Sequence, residues 1–445
     1  MRSISPCCWC VRNRRRGIGG KPPIPLIRLT QALPQRPKTR VKVLFLTNEY
    51  PPHIYGGAGV HVGYLSRELA KMMPVEVRCF GDQRVDEGNL KVIGFELDTS
   101  TFTCPKPLRS AFGAVRRCTD FNTINIDADL VHCHTWYSHF GGILAKKNYG
   151  LPLVITVHSL EPLRPWKREQ LAGSYDFSLW VEKTALELAD AIIAVSGATK
   201  HDVERLFNVS PARVHVIHNG IDLNQYRKVD STDALQRYSI DPGKPYVLFI
   251  GRITRQKGFQ HLVRAIQFMD HKFQIVLCAA APDTPGMAEE MRIAVERAQA
   301  QRPGIIWIDE MVDQQTACEL YSHAGVFICP SIYEPFGIIN LEAMACETAV
   351  VASAVGGIKE VVVDGETGFL VPLEQMNESP FEATNPEKFA RDLAERVNEL
   401  MRSLELRKRF GEAGRKRVEE YFSWTKIAER TKALYGELLT TAHQE

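Results

Sequence analysis

Two carboxylates, Glu334 and Glu342, are the residues of this chain whose type and spacing most clearly suit chemistry. They flank a Pro-Phe-Gly segment that is typical of a loop opening a helix. The apolar run Val326–Cys329 lies just upstream and predicts a buried parallel strand. The order strand, loop, helix N-terminus is where α/β proteins present free backbone N–H groups to anions. Carboxylates that bind hydroxyls beside amides that bind phosphate suit a nucleotide-sugar.

A basic loop is the second candidate site. The predicted strand 246–250 leads into a loop that carries Arg252 and Lys257. Arginine binds phosphate oxygens in a bidentate manner, and lysine adds a compact point charge. Because this loop follows a strand, as the Glu334 loop does, we expect both at the carboxyl edge of one sheet, where doubly wound proteins bind ligands. The alternative is a solvated basic loop without a ligand.

The first half of the chain has weaker candidates at strand ends. A glycine-rich loop at 56–59 follows the first predicted strand, and such a loop lets backbone approach a phosphate. The loop does not match the fingerprint G-x-G-x-x-G, which argues against a nicotinamide-dependent oxidoreductase, and a tight packing turn is the alternative. His158 follows the apolar strand 153–157, where a packed histidine is the alternative to one that faces a cleft.

Metal signals in the sequence are poor. His132 and His134 share one face of a predicted strand, but the sequence offers no third ligand. The pair Asp127 and Asp129 precedes a buried strand, whose entry is polar in any case. We therefore expect no metal site and no cofactor. Most cysteines outside the first ten residues lie in apolar runs, as reduced core thiols do, and the simplest compartment is the cytoplasm.

The composition is that of a globular protein with two domains. Of 445 residues, 44% are hydrophobic and 24% charged, and no apolar stretch approaches the roughly 20 residues of a membrane span. Residues 1–40 hold ten Lys or Arg and no acidic residue, whereas the rest of the chain holds 45 basic and 52 acidic residues. This mildly acidic body argues against nucleic-acid binding. We interpret 1–40 as a disordered or non-native tail, with a transit peptide as the alternative.

Strand-like and helix-like segments alternate from Val41 onward. Strands are expected at 41–47, 75–80, 129–133, 152–157, 190–195, 214–218, 246–251, 273–279, 304–308, 325–329 and 348–353. Helices are expected at 60–72, 177–189, 258–268, 286–301, 313–322, 386–402, 405–421 and 424–440. This alternation predicts an α/β fold with two doubly wound, Rossmann-like domains that face each other across a cleft, followed by C-terminal helices. The expected bounds are a tail at 1–40, domains at 41–222 and 245–422 joined by a linker at 223–244, and a closing helix at 423–445.

Five motifs in this order resemble the retaining glycosyltransferases of family 4, which have the GT-B architecture. They are the Gly56-Gly57 loop, His158, Asn219-Gly220-Ile221-Asp222, the loop 251–258 and the Glu334/Glu342 pair. His134-Thr135-Trp136-Tyr137 and the segment 158–167 are similar to bacterial glycogen synthases of actinobacterial type. That group includes enzymes that make α-maltose-1-phosphate from ADP-glucose and glucose-1-phosphate. Other bacterial glycogen and starch synthases carry Lys-x-Gly-Gly where this chain has Ile54-Tyr55-Gly56-Gly57.

The resemblance implies an acceptor-side first domain, a nucleotide-sugar-binding second domain, and roles for single residues. The expected catalytic set is His158 beside the transferred glucose, Glu334 on that glucose, and Arg252 and Lys257 on the donor diphosphate. The remaining donor contacts are expected from Gly57, from the backbone of Phe336, Gly337, Ile338 and Ile339, and from Glu342 on the ribose. Acceptor-side candidates are Tyr137, Arg164, Lys167 and Asn219.

Arg164 and Lys167 lie in a basic, aromatic loop. We expect them to bind the phosphate of a phosphorylated acceptor such as glucose-1-phosphate. The alternative is a surface loop whose Trp166 packs against a glucan chain or the core.

The sequence therefore predicts a retaining hexosyltransferase that moves glucose from ADP-glucose to an α-glucan or to glucose-1-phosphate. One alternative is a family 4 enzyme of surface polysaccharide or glycolipid synthesis with another nucleotide-sugar. A glycolipid enzyme should show a basic amphipathic face for a membrane, and none is found outside the tail. The other alternative is a regulatory protein that binds a nucleotide-sugar without turnover, against which the intact charged residues argue. No stable membrane association is expected, and a homodimer is left open.

Overall fold

The structure is a computed structural model that describes residues 41–376 and 381–441. The expected tail at 1–40 lies outside the described residues, as do the last four residues of the closing segment. The described chain forms two sheets covered by helices, and the predicted α/β fold of two doubly wound halves is confirmed.

The first sheet has eight strands in the order β3-β4-β2-β1-β5-β6-β7-β8, all parallel except the pairing of β3 with β4. The strands are β1 Val43–Thr47, β2 Val75–Phe80, β3 Arg84–Glu87, β4 Leu90–Phe95, β5 Leu130–His134, β6 Leu153–Val157, β7 Ala191–Ala194 and β8 Val214–Val216. The helices between them are α1 Gly57–Ala70, α2 Arg109–Thr123, α3 Trp136–Tyr149, α4 Lys167–Leu171, α5 Ser174–Leu188 and α6 Gly197–Leu206.

The second sheet has six parallel strands in the order β11-β10-β9-β12-β13-β14. The helix α7 Asp233–Arg237 precedes it, and its strands are β9 Tyr246–Arg252, β10 Gln274–Ala280, β11 Ile305–Ile308, β12 Val326–Cys329, β13 Val350–Ser353 and β14 Gly368–Val371. Its helices are α8 Phe259–Ile266, α9 Pro285–Gln301, α10 Gln314–His323, α11 Ile338–Ala345, α12 Ile358–Val361, α13 Pro386–Arg402 and α14 Leu404–Tyr421, and α15 Trp424–Thr441 ends the described chain.

Each sheet has a point at which the strand order reverses. In the first sheet the chain runs outward from β1 through β2 and then returns to β5 on the other side of β1. In the second sheet it runs outward from β9 through β10 and returns to β12 on the other side of β9. Ligands of doubly wound proteins bind at the carboxyl ends of the strands at such a reversal. Arg252, predicted in the loop, is instead the last residue of β9, and the loops that follow β9 and β12 carry Lys257 and Glu334.

The predicted strands are all present within two residues of their expected bounds, but several elements were missed. The edge strand β3 is mostly exposed and has the sequence Arg-Val-Asp-Glu, which contains no apolar run. The helix α3 contains Gly141-Gly142, a pair that locally favours a turn. A Cβ on Gly142 would lie 2.4 Å from Cys133 Sγ, so the close packing of α3 on β5 requires this glycine.

The last helix, α15, packs against the first sheet instead of the second. Trp424, Ile427 and Tyr435 are buried in the core that also contains β1 and β2 residues. The Tyr435 hydroxyl lies 2.6 Å from His132 Nδ1, and His132 Nε2 lies 2.7 Å from Thr156 Oγ1. The chain therefore starts and ends its described part in one half, and α15 links the second half back to the first. No helix of the described part is both long and apolar enough to cross a membrane.

We expect Tyr435→Phe to lower the free energy of unfolding by about 1–3 kcal/mol, because it leaves a buried histidine nitrogen without its partner. Tyr421→Phe is the matched control, since Tyr421 is 58% exposed and should change stability by no more than about 0.5 kcal/mol. Urea unfolding of both variants measures the difference. Equal stability of the two would show that the His132–Tyr435 contact contributes nothing to anchoring α15.

Candidate active site

The centre of the candidate site is a buried ion pair between Lys257 and Glu334. Lys257 Nζ lies 2.6 Å from Glu334 Oε2, and the two side chains are 18% and 10% exposed. Burial acts to lower the pKa of Lys257, but the carboxylate of Glu334 outweighs it, so the pKa of Lys257 is raised. The lysine is therefore charged at neutral pH. Ser331 Oγ lies 3.4 Å from the same Glu334 oxygen.

Local backbone geometry points Lys257 at Glu334. The turn after β9 is capped by Thr254, whose hydroxyl accepts the Lys257 N–H at 3.3 Å. Gly258 follows in the left-handed region with φ +63°, and a Cβ there would lie 2.0 Å from the Pro330 carbonyl oxygen. Only glycine fits this place. The Lys257 turn therefore packs directly against the chain that leaves β12 towards Glu334.

Arg252 lies at the end of β9 and contacts the first half of the molecule. Its Nη1 donates to the Tyr55 hydroxyl at 2.6 Å, and its guanidinium lies 4.5 Å from the centre of the Tyr55 ring. Asp283 Oδ1 lies 3.5 Å from the same nitrogen. Because Tyr55 belongs to the glycine-rich loop after β1, the loops from the two sheets meet at this arginine.

The predicted donor loop, residues 336–339, is also reached by the first half of the molecule. Gly337 precedes α11, and Phe336 and Ile338 flank it. The first turn of a helix leaves backbone N–H groups without intrahelical partners, and here Ile338 and Ile339 occupy that turn. A Cβ on Gly57 would lie 3.4 Å from Ile338 Cδ1, so the glycine-rich loop reaches the start of α11 from the facing half.

Glu342, one turn further along α11, lies in a separate pocket of tyrosines. The Tyr321 hydroxyl donates to Glu342 Oε2 at 3.1 Å, and Tyr226 also forms a hydrogen bond with this carboxylate. Burial raises the pKa of Glu342 to about 7. The sequence did not indicate Tyr226 or Tyr321, because one lies in the expected linker and the other in a helix with no site motif.

His158 belongs to a cluster of three histidines from three elements. His158 Nε2 lies 3.1 Å from His134 Nδ1 at the end of β5, and its ring lies 4.7 Å from that of His61 on α1. Burial lowers the pKa of all three imidazoles, that of His61 to about 4 and those of His134 and His158 well below the usual value. The rings are neutral at physiological pH. His61 was missed because a single histidine at helical spacing gives no signal.

The acceptor-side candidates do not all lie together. Asn219 Oδ1 lies 2.7 Å from His61 Nδ1, so Asn219 belongs to the histidine cluster. Tyr137 stacks on Trp136 at 4.0 Å, and burial raises its pKa to about 12. Arg164 Nη1 donates to Ser159 Oγ at 3.0 Å and to Glu161 Oε1 at 3.3 Å.

Lys167 and Arg164 form a basic cluster that extends to Arg252 of the second half. The pKa of Lys167 is lowered to about 8, first by burial and then by the positive charges of Arg164 and Arg252, with Asp283 acting in the opposite direction. Trp166 is buried and its ring lies 6.4 Å from that of Tyr333, next to Glu334. The aromatic residue of this loop therefore packs against the core, and its basic residues lie near Arg252.

Comparison with known proteins shows the family of this chain. The model of the glycosyltransferase family 4 matches residues 55–225, and the model of the glycosyl transferases group 1 matches residues 230–417. The chain is 46% identical to an alpha-maltose-1-phosphate synthase of Mycolicibacterium smegmatis, over 89% of this chain and 99% of that protein. It is 43% identical to an alpha-maltose-1-phosphate synthase of Mycobacterium tuberculosis over the same shares.

A solved structure, the sucrose-phosphate synthase of Thermosynechococcus elongatus, has the same fold. It superposes with a TM-score of 0.72 at 24% identity and covers 90% of this chain and 100% of its own. Two family models together span most of the chain, and relatives above 40% identity cover nearly all of it. This chain therefore belongs to the glycosyltransferases of family 4 and has the GT-B architecture.

Proposed function

We propose that this glycosyltransferase moves glucose from ADP-glucose to glucose-1-phosphate and so forms α-maltose-1-phosphate, with retention at the anomeric carbon. The observation that carries the proposal is the buried Lys257–Glu334 pair at the strand reversal of the second sheet, with Arg252 beside it. A nucleotide-sugar has an anionic diphosphate next to a ring of hydroxyls. The cations Arg252 and Lys257 would complement the diphosphate, and the neighbouring Glu334 carboxylate would complement the hydroxyls.

On the donor side, Arg252 and Lys257 would bind the diphosphate and stabilise the charge of ADP as it leaves. A preorganised donor of this kind is worth about 3 kcal/mol in comparable sites. These fixed charges can do the work of a metal ion, so we expect transfer to continue in the presence of EDTA. The N–H groups at the start of α11 would bind phosphate or sugar oxygens, and Glu342 would accept the ribose hydroxyls.

Retention is proposed from the resemblance to family 4, and the residues expected around the donor sugar bear on how it would occur. Glu334 is held in an ion pair with Lys257, which makes its carboxylate a weak nucleophile. His158 is packed against His134 and would sit beside the glucose as a neutral ring. With no free carboxylate assigned as a nucleophile, a double displacement has no attacking group, so retention would require the acceptor hydroxyl to attack on the face from which ADP departs.

On the acceptor side, the basic cluster of Arg164, Lys167 and Arg252 favours a phosphorylated acceptor over a neutral glucan. Burial and then the charges of Arg164 and Arg252 lower the pKa of Lys167, and an acceptor phosphate would stabilise its charged form. Trp166 is buried, so it offers no exposed ring to a glucan chain. The curated relatives described above carry the name of the same product. The described cysteines are free thiols, as in the reducing cytoplasm where we expect the reaction to run.

The first test is product analysis with ADP-glucose and each acceptor supplied separately. We expect maltose-1-phosphate from glucose-1-phosphate as the main product and slow or no extension of glycogen. Extension of glycogen alone would contradict the phosphorylated acceptor. No transfer to either acceptor from ADP-glucose, with transfer from another nucleotide-sugar, would contradict the donor and favour an enzyme of surface polysaccharide synthesis.

Arg252→Lys should lower kcat/KM for ADP-glucose by about 100-fold, because lysine keeps the charge but loses the paired N–H donors. The matched control is Arg255→Lys in the same turn, where the guanidinium lies 3.9 Å from Glu169 and has no proposed donor contact. Steady-state kinetics with ADP-glucose as the varied substrate compares the two. Equal losses in both variants would remove Arg252 from the donor site.

The KM for glucose-1-phosphate should rise about tenfold between pH 7 and pH 9, because Lys167, with a pKa of about 8, loses its charge over this range. Lys167→Arg keeps its charge at these pH values and should remove the rise. The KM for ADP-glucose, measured in the same series, serves as the control and should change much less. The same slope in Lys167→Arg would show that another group controls acceptor binding.

A further inference from the structure

The three-histidine cluster of His61, His134 and His158 has features that sugar transfer does not explain. One nitrogen of each ring can be chosen so that all three lie within 4.8 Å of one another. His61 and His134 are 2% and 0% exposed, yet Nε2 of each has no hydrogen-bond partner among the described residues. Buried polar atoms without a partner are rare and need an explanation.

The spacing of these nitrogens is close to that of a metal site. Two imidazole nitrogens on one tetrahedral zinc ion are about 3.3 Å apart, given zinc–nitrogen distances of about 2.0–2.1 Å. His134 Nδ1 and His158 Nε2 are already 3.1 Å apart. In the set of three nitrogens that lie within 4.8 Å of one another, no pair has to close by more than about 1.5 Å to reach the zinc spacing.

The residues next to the cluster also fit a metal. A histidine that binds zinc usually donates its other ring nitrogen to an oxygen, which fixes the ring and frees the ligating nitrogen. His61 Nδ1 makes such a contact with Asn219 Oδ1 at 2.7 Å, which leaves His61 Nε2 as the free nitrogen. The cluster contains no carboxylate, and imidazole ligands favour zinc, copper, nickel or cobalt over magnesium or calcium.

We propose that His61, His134 and His158 form a binding site for a divalent transition metal, with zinc as the ion that fits three imidazoles and one open position. A bound ion would occupy His158 Nε2, the nitrogen that otherwise contacts His134 Nδ1. Because His158 is expected beside the transferred glucose, the ion would lower the rate of transfer. The inhibition of transfer rests on the proposed function, whereas metal binding itself does not.

Cobalt(II) is the probe, because it replaces zinc and its visible absorption reports the ligands. The full-length chain is used with Cys7, Cys8 and Cys10 changed to serine, since those thiols could bind metal themselves. We expect one equivalent of cobalt to give the visible bands of a four-coordinate ion without a thiolate charge-transfer band. His61→Asn should abolish these bands, because asparagine can still donate to Asn219 but lacks a nitrogen at the Nε2 place.

Two further variants make the test specific. Asn219→Ala should weaken cobalt binding by about 10–100-fold, as expected for loss of a group that orients a ligand. His201→Asn, at an exposed position on α6, is the control and should bind cobalt as the parent does. If His61→Asn unfolds in a thermal melt, His158→Gln takes its place. Absent bands, a thiolate band, or bands unchanged in the ligand variant would overturn the site.

The effect on transfer is measured separately. For each protein, the transfer rate with zinc is compared with the rate of the same protein in EDTA. Zinc should lower the rate of the parent and of His201→Asn, but it should not lower the rate of His61→Asn. Equal zinc sensitivity in His61→Asn would overturn the inhibitory role. If the protein transfers nothing from ADP-glucose, the proposed function fails, and the cobalt spectrum still decides on the metal site.

Discussion

The Lys257–Glu334 ion pair is the contact on which the rest of the candidate site depends. Each partner follows a different strand of the second sheet, and the pair joins the two strand ends at the reversal of strand order. Two buried charges at 2.6 Å are tolerated because each neutralises the other, and removal of one partner typically costs about 3–5 kcal/mol. The pair therefore holds the two loops in place relative to each other without a ligand, and in the proposed function the donor would meet groups that are already in position.

The donor loop is held from the first half of the molecule as well. Ser196 Oγ donates to the Pro335 carbonyl at 2.7 Å, and Thr199 Oγ1 reaches the same oxygen at 3.2 Å. Glu360 on α12 accepts from the Gly197 N–H at 3.0 Å and lies 2.9 Å from His218 Nε2. These contacts explain how residues from two sheets can be kept at distances that suit a single ligand. Any motion of one half against the other must change them.

The cluster of His61, His134 and His158 is buried like the ion pair but carries no charge. Burial lowers the pKa of these imidazoles, so the rings are neutral and add no charge to the candidate site. Neutral rings can pack closely on one another, which charged rings could not. The same neutral nitrogens are the form that binds metals. The cluster therefore presents its nitrogens in the form that an ion would bind.

The sequence by itself determined the α/β fold and the strand ends at which Arg252, Lys257 and Glu334 lie. Strand-and-helix alternation is a local pattern, and a loop that follows a strand must lie at the carboxyl edge of its sheet, so Arg252, Lys257 and Glu334 could be placed together without coordinates. Only the tertiary structure decided which residues from distant segments lie close together. His61, His134 and His158 come from a helix and two strand ends, and Tyr55 meets Arg252 from the opposite sheet. A hydrophobic periodicity cannot predict these contacts, because they depend on how the two sheets face each other and not on the order of residues within either sheet.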